Sequence, residues 1–200
     1  MSKKDVLKLM KDEEVAYVDI RFTDPRGKLQ HVTVLADQVD EDFLEEGFMF
    51  DGSSIQGFTR IEESDMLLKP DQSSAIIDPF FQQTTMAVFC DILDPVTEQP
   101  YGRDPRTTAK KAEAYLQQAG VGTTAYFGPE AEFFVFDDVR YDQNEHSGYY
   151  YVNSSEGRWN SGAEENPNLG YKPPYKGGYF PVPPHDSLQD LRSEMVLLMR

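Results

Sequence analysis

An α+β fold is what this 200-residue sequence predicts, and three observations carry it. Short alternating stretches closed by turn residues fill roughly the first hundred positions with strands and one or two short helices. Asp104-Pro105 then starts a longer helix, aspartate as N-cap and proline at the first helical position. Beyond it, Phe127-Gly128-Pro129-Glu130-Ala131-Glu132-Phe133-Phe134-Val135-Phe136-Asp137 is apolar on both alternating faces, the pattern of an interior strand covered on two sides. The length allows one or two domains, and 13 Phe, 11 Tyr and one Trp exclude a disordered chain.

In chain order, Val6, Leu7 and Met10 fall at helical spacing and predict a short helix over 4–12. Val15–Thr23 and Leu29–Leu35 alternate as strands, and Asp24-Pro25-Arg26-Gly27 between them has turn chemistry, so the two form a hairpin. Asp40–Gly47 reads as one or two helical turns, acidic at the positive end and closed by glycine, with a face expected to pack on that hairpin. Phe48–Phe58 is an apolar run leading into a small polar turn that contains Asp51. Asp65–Lys69, Ala75–Ile77 and Thr84–Ile92 follow as strands, and Asp94–Arg103 is a turn-rich boundary. Along the second helix Ala109, Ala112, Leu116 and Ala119 share a face before Gly120 ends it.

Thr123–Phe127 is expected to be a short strand leading into the carboxylate strand. The polar stretch 138–174 is either a long functional loop or conceals short strands such as Tyr149–Val152. Lys176-Gly177-Gly178-Tyr179-Phe180-Pro181 joins a permissive diglycine to a stiff proline-rich end. His185-Asp186-Ser187 introduces a last helix with Leu188, Leu191, Met195 and Leu198 on one face. Its apolar final turn lacks a glycine or proline stop, so the sequence is expected to be the front part of a longer protein.

Net charge is −16, from 35 acidic and 19 basic residues, which opposes unaided binding to nucleic acid or an anionic membrane. Met1–Lys8 is too broken by charge for a signal peptide, and no run approaches the roughly 18 apolar residues of a membrane span. With Cys90 as the sole cysteine no internal disulfide forms, and a reducing cytoplasm is the expected location. Asn153-Ser154-Ser155 matches a glycosylation sequon, without meaning in a chain that carries no export signal.

Within the carboxylate strand Glu130 and Glu132 share one face, about 7 Å apart at roughly 3.4 Å per residue. Two sheltered like charges need cations, protons or water, because an unpaired buried charge is costly. Hard divalent ions such as Mg²⁺ or Mn²⁺ suit carboxylate oxygens, and each of two ions could take its own glutamate. A solvated strand end and a pair bound to arginine are the plain alternatives. His31, His146 and His185 form no zinc-hydrolase pattern, and neither phosphate-loop motif occurs.

Four stretches standing in order go further: Phe50-Asp51-Gly52-Ser53-Ser54, Glu63-Ser64-Asp65-Met66-Leu67-Leu68, Gly128-Pro129-Glu130-Ala131-Glu132-Phe133-Phe134 and Lys176-Gly177-Gly178-Tyr179-Phe180-Pro181. Together they closely resemble the bacterial type I glutamine synthetases. The likeness runs through essentially the whole chain, including Asp104-Pro105-Arg106 and Arg192-Ser193-Glu194-Met195. Phe58 departs from it, standing where many members carry tryptophan.

The resemblance implies an enzyme that joins ammonia to L-glutamate through γ-glutamyl phosphate at the expense of ATP. It implies a small N-terminal β-grasp-like domain over 1–103, followed by the start of a larger catalytic α/β domain over 104–200. Glu130 and Glu132 become ligands of two different ions, Mg²⁺ or Mn²⁺, with two or more ions per site. Asp51 becomes the catalytic group that binds ammonium and helps deprotonate it, reaching in from the adjacent subunit, and Ser54 and Tyr179 become further ammonium contacts. Nucleotide contacts fall mostly beyond residue 200. The expected assembly is a homododecamer of two stacked six-membered rings with active sites between subunits, with no nucleic-acid or membrane partner. The 200-residue piece alone is expected to be inactive. Two other readings stand beside this one: a non-catalytic relative serving assembly or regulation, and, more weakly, a glycosidase using Glu130 and Glu132 as acid and base, for which their placement on one strand is awkward.

Overall fold

Ser2 begins the first helix, α1 (Lys3–Asp12), with a reciprocal cap: its Oγ accepts from Asp5 N at 3.3 Å, and the Asp5 carboxylate accepts from Ser2 N at 2.8 Å. The computed structural model describes residues 1–160 and 172–200. They fall into two units, Met1–Phe127 and Gly128–Arg200. The architecture is α+β, as the sequence predicts.

In the first unit β1 (Tyr17–Thr23) and β2 (Leu29–Leu35) form the expected antiparallel hairpin. Asp24 organises its turn by accepting from the N–H groups of Arg26 and Lys28, each at 2.9 Å, and Gly27 takes the left-handed backbone at φ +84°. Helix α2 (Glu41–Glu46) is capped by Asp40, which accepts from Phe43 N at 2.8 Å. Gly47 closes it at φ +92°, where a Cβ would lie 2.5 Å from the Leu68 carbonyl oxygen, so both conformation and space demand glycine. Helix α2 places its buried Leu44 in the core that Val18, Ile20 and Phe22 of the hairpin also line. Its main neighbours are β4 (Asp65–Pro70) and α1, because Gly47 turns the chain directly into β3 (Phe48–Asp51), which pairs with β4.

With β5 (Ile76–Asp78) and β6 (Thr85–Leu93) the sheet runs β2-β1-β6-β4-β3, and β5 also pairs with β6. β6 is the hinge of this arrangement. It runs parallel to β1 through Thr85–Phe89, and antiparallel to β5 and β4 through Thr85–Ala87 and Cys90–Leu93. Its alternate residues Met86, Val88, Cys90 and Ile92 turn inward with Val18, Ile20 and Phe22 of β1 and Met66 and Leu68 of β4. Val6, Met10 and Leu44 from the two helices cover them. Each such side chain contributes about 1.5–3 kcal/mol on leaving water. Cys90 is buried among them, which pushes its thiol up, well away from reactive thiolate.

On the opposite face of β1, buried Asp19 accepts from Arg21 Nε at 2.7 Å and Thr33 Oγ1 at 2.8 Å and meets His31 Nδ1 at 2.6 Å, while Arg21 Nη2 reaches Asp78 at 2.6 Å. Burial, the largest single influence, pushes the Asp19 carboxyl up. The bonds from His31, Arg21 and Thr33 together outweigh it and hold the group below its ordinary value.

Helix α3 (Pro105–Gln118) starts as predicted: fully buried Asp104 accepts from Arg106 N, Thr107 N and Thr107 Oγ1 at 2.8–3.1 Å. Gly120 ends it at φ +68°. The strand expected at Thr123–Phe127 is not formed. That segment instead lines a groove of about 700 Å³ beside Ala109, Ala112 and Leu116 of α3.

In the second unit the polar stretch does conceal a hairpin, β7 (Asp138–Gln143) with β8 (Gly148–Asn153), and residues 161–171 of the same stretch lie outside the described residues. The interior strand expected from Glu130 to Phe136 is corrected. No ladder includes these residues, and Phe133, Phe134, Val135 and Phe136 are exposed. Alternation names the faces a strand would bury, but a strand also needs a neighbour for its N–H and C=O groups, and none of the described residues supplies one. Helix α4 (Gln189–Met199) forms with Leu188 as its N-cap, and none of its side chains is buried.

Candidate active site

Asp51 ends the edge strand β3, opposite Asp65 of β4 in the strand register. There the chain turns sharply through Gly52. The Gly52 N–H donates to the Ser64 carbonyl at 2.7 Å, and a Cβ at this buried glycine would sit 2.6 Å from Met66 Cγ, so a larger residue would push the turn off the sheet. Downstream the turn is anchored by Phe58, which is 1% exposed and packs against Phe22, Phe50 and Tyr101 at centroid distances of 5.8–6.2 Å. The Tyr101 hydroxyl and Arg103 Nη1 both donate to the Phe58 carbonyl. Phe58 therefore does core work at this site.

The carboxylate that results is exposed and ordered by its own turn. Oδ1 accepts from Ser53 N at 2.8 Å and Ser53 Oγ at 2.6 Å, and Oδ2 accepts from Ser54 Oγ at 2.8 Å. The Ser53 hydroxyl, then the Ser54 hydroxyl and the Ser53 N–H, hold the Asp51 carboxyl below its ordinary range. Among the described residues no cation forms an ion pair with it. Asp51 is thus an anion fixed in direction and open to solvent.

The same four-residue pattern recurs at Asp71-Gln72-Ser73-Ser74, which the sequence reading passed over. Asp71 has nearly the backbone angles of Asp51, φ −89° and ψ 98° against φ −82° and ψ 99°, and accepts from Ser73 N at 3.1 Å and Ser73 Oγ at 2.6 Å. Here the anion is already taken. Arg106 Nη2 of α3 pairs with Asp71, Arg106 Nε meets Asp91 at 2.9 Å, and Lys110 meets Asp91 at 2.5 Å. Burial pushes the Asp71 carboxyl up most strongly, but the Ser73 bonds and the charges of Arg106 and Lys110 leave it below the ordinary value. The repeated spacing Asp-x-Ser-Ser was the available signal.

Of the other sequence-predicted site residues, Glu130 and Glu132 are exposed in the stretch that forms no strand, and Tyr179 is 90% exposed, edge-on to Phe180 with centroids 4.5 Å apart. Ser54 is the one brought to a predicted partner, Asp51. The burial that argued for a metal at Glu130 and Glu132 is missing, and among the described residues no three of His, Cys, Asp and Glu converge as a metal ion requires. Two carboxylates alone do not complete a metal site.

Comparison with known proteins bears on the whole chain. The family model described as the glutamine synthetase β-grasp domain matches residues 14–95, and that of the glutamine synthetase catalytic domain matches residues 102–200. A glutamine synthetase of Cereibacter sphaeroides is 59% identical over 197 residues, and one of Escherichia coli (strain K12) is 54% identical over 200. These alignments take in 98% and 100% of this chain but 42% and 43% of the relatives, so the chain spans about two fifths of their length. In structure it is similar to the Plasmodium falciparum glutamine synthetase, with a TM-score of 0.75 over 100% of this chain and 40% of that one; at 23% identity this is a likeness of fold. Two family models in sequence order, covering most of the residues, place the chain in the glutamine synthetase family.

Proposed function

We propose that this chain supplies the ammonium-binding carboxylate and two metal-ligating glutamates to an ATP-dependent ligase that makes L-glutamine from L-glutamate and ammonia through γ-glutamyl phosphate. The observation that carries the proposal is the identity of 59% over 98% of the chain to a glutamine synthetase. The Asp51 turn supports it chemically. Ammonium has no lone pair, so it must first be attracted and then lose a proton before nitrogen can attack the acyl phosphate. A carboxylate fixed in direction, open to solvent and unpaired suits the first task. When the proton moves, the N–H electron pair stays on nitrogen, attacks the γ-carbonyl carbon, and phosphate leaves. Ser54 and Tyr179 belong to the same proposal as further ammonium contacts.

Glu130 and Glu132 are proposed as one ligand each for two Mg²⁺ or Mn²⁺ ions, on the strength of the family likeness alone. The division into a small domain, 1–103, and the start of the catalytic domain, 104–200, is likewise proposed, as are a cytoplasmic location and a dodecamer with active sites shared between subunits. No helix among the described residues is long and apolar enough to cross a membrane, which is compatible with that location.

The test compares residues 1–200 with a chain extended to the length of the relatives. Glutamine formation coupled to phosphate release is expected from the extended chain and undetectable from residues 1–200. An extended chain that assembles yet forms no glutamine would favour a non-catalytic relative.

A further inference from the structure

We propose that Ser53 is the positioning residue of Asp51, an inference that rests on the ammonium reading of that carboxylate: it occupies Oδ1 and so assigns Oδ2 as the oxygen that meets the cation and takes its proton.

A carboxylate offers about four acceptor sites. Ser53 N and Ser53 Oγ bond Oδ1, and Ser54 Oγ bonds Oδ2, which leaves the open site on Oδ2. Without Ser53 Oγ, Oδ1 would regain an open site and the carboxylate could turn about its last torsion. Gly52 holds Ser53 in place from below, because its own N–H is tied to the Ser64 carbonyl and its Cα lies against Met66. Asp65 of β4 is the ionisable residue opposite Asp51 in the strand register. The Asp71 turn supplies an internal control: Ser73 bonds Oδ1 through the same two groups, and the cation, Arg106, arrives at Oδ2. In the turn whose cation is visible, the oxygen left free by the serine is the one that receives it.

The test has two readouts. In the 200-residue chain the carboxyl-carbon titration of Asp51 is followed by NMR for wild type, Ser53→Ala, Ser53→Gly and Ser53→Thr, with the amide spectrum reporting the fold. Ala and Gly are expected to move the titration up toward the ordinary carboxylate value, and Thr, which keeps the hydroxyl, to restore it. In a chain extended to the relatives' length, Ser53→Ala is expected to raise KM for ammonium about tenfold, as loss of a hydrogen bond to a charged group does, with KM for glutamate unchanged. An unmoved Asp51 titration overturns the proposal whatever the activity. A moved titration with unchanged ammonium KM overturns the positioning role. If Asp51→Asn also leaves ammonium use intact, the ammonium reading itself has failed.

Discussion

Two turns of the first unit share the spacing Asp-x-Ser-Ser, the backbone angles and the bonds of the first serine to Oδ1, and differ in the second serine and in what they face. Asp71 lies between β4 and β5, where Ser74 Oγ accepts from Phe89 N at 2.9 Å and ties the turn to β6, and its carboxylate is matched by Arg106. Asp51 lies at the end of an edge strand with its carboxylate exposed and, among the described residues, no cation paired with it. Local chemistry therefore builds an oriented anion in both places, and tertiary context decides whether that anion is a structural partner or remains available to a ligand.

The widest separation between the turns is expected from Asp51→Asn against Asp71→Asn. In a chain extended to the relatives' length, Asp51→Asn should lower the ammonium-dependent rate roughly 10²–10⁴-fold, the range for a lost acid–base group, with an unchanged thermal midpoint. Asp71→Asn should do the reverse, keeping the rate and costing about 1.5–3 kcal/mol in urea unfolding, because a charge-assisted bond is lost. Equal losses of activity would erase the distinction.

Arg106→Ala should cost about 1.5–3 kcal/mol, since it removes one partner from each of Asp71 and Asp91, and Arg106→Lys should recover only part, because one ammonium cannot reproduce the two guanidinium contacts. The pH dependence sharpens this. A carboxyl whose folded value is depressed adds stability above its unfolded value, near 3.8, and loses it as pH falls through the folded value. The acid-side decline of urea stability between about pH 5 and pH 2 should be shallower in Asp71→Asn than in wild type.

Gly52→Ala should cost about 1–3 kcal/mol from the contact with Met66, whereas Gln72→Ala at the equivalent position should cost about 1 kcal/mol, the worth of its bond to the Leu44 carbonyl. Lys110→Ala, which removes a half-exposed cation from the Asp71 side of the comparison, should cost less than about 1 kcal/mol by the same assay and less still in high salt.

What the sequence made legible was local. The Asp24 turn, Asp40 with Gly47, and Asp104-Pro105 each carry their partners within a few residues, and each stands where the pattern placed it. The hairpin β7–β8 was only half visible, because Tyr149-Tyr150-Tyr151 repeats one residue type across both faces and erases the alternation. The stretch from Glu130 to Phe136 failed for another reason: its period describes what a strand would bury, while its ladder depends on residues elsewhere. At the site, the shared Asp-x-Ser-Ser spacing does not separate Asp51 from Asp71. Only the family likeness singled out Asp51, and only the fold exposed Arg106 as the reason Asp71 differs.

The pairing of Tyr17–Arg21 with Thr85–Phe89 sets an order on biosynthesis. The antiparallel pairs β1–β2 and β3–β4 can zip up as they leave the ribosome, but β6 alone joins them, and loop closure over that distance is slow. A nascent chain arrested before Thr85 would leave one edge of β1 unpaired and Val18, Ile20 and Phe22 without Met86, Val88, Cys90 and Ile92 beside them, a greasy edge of the kind chaperones hold and neighbouring polysomes aggregate through.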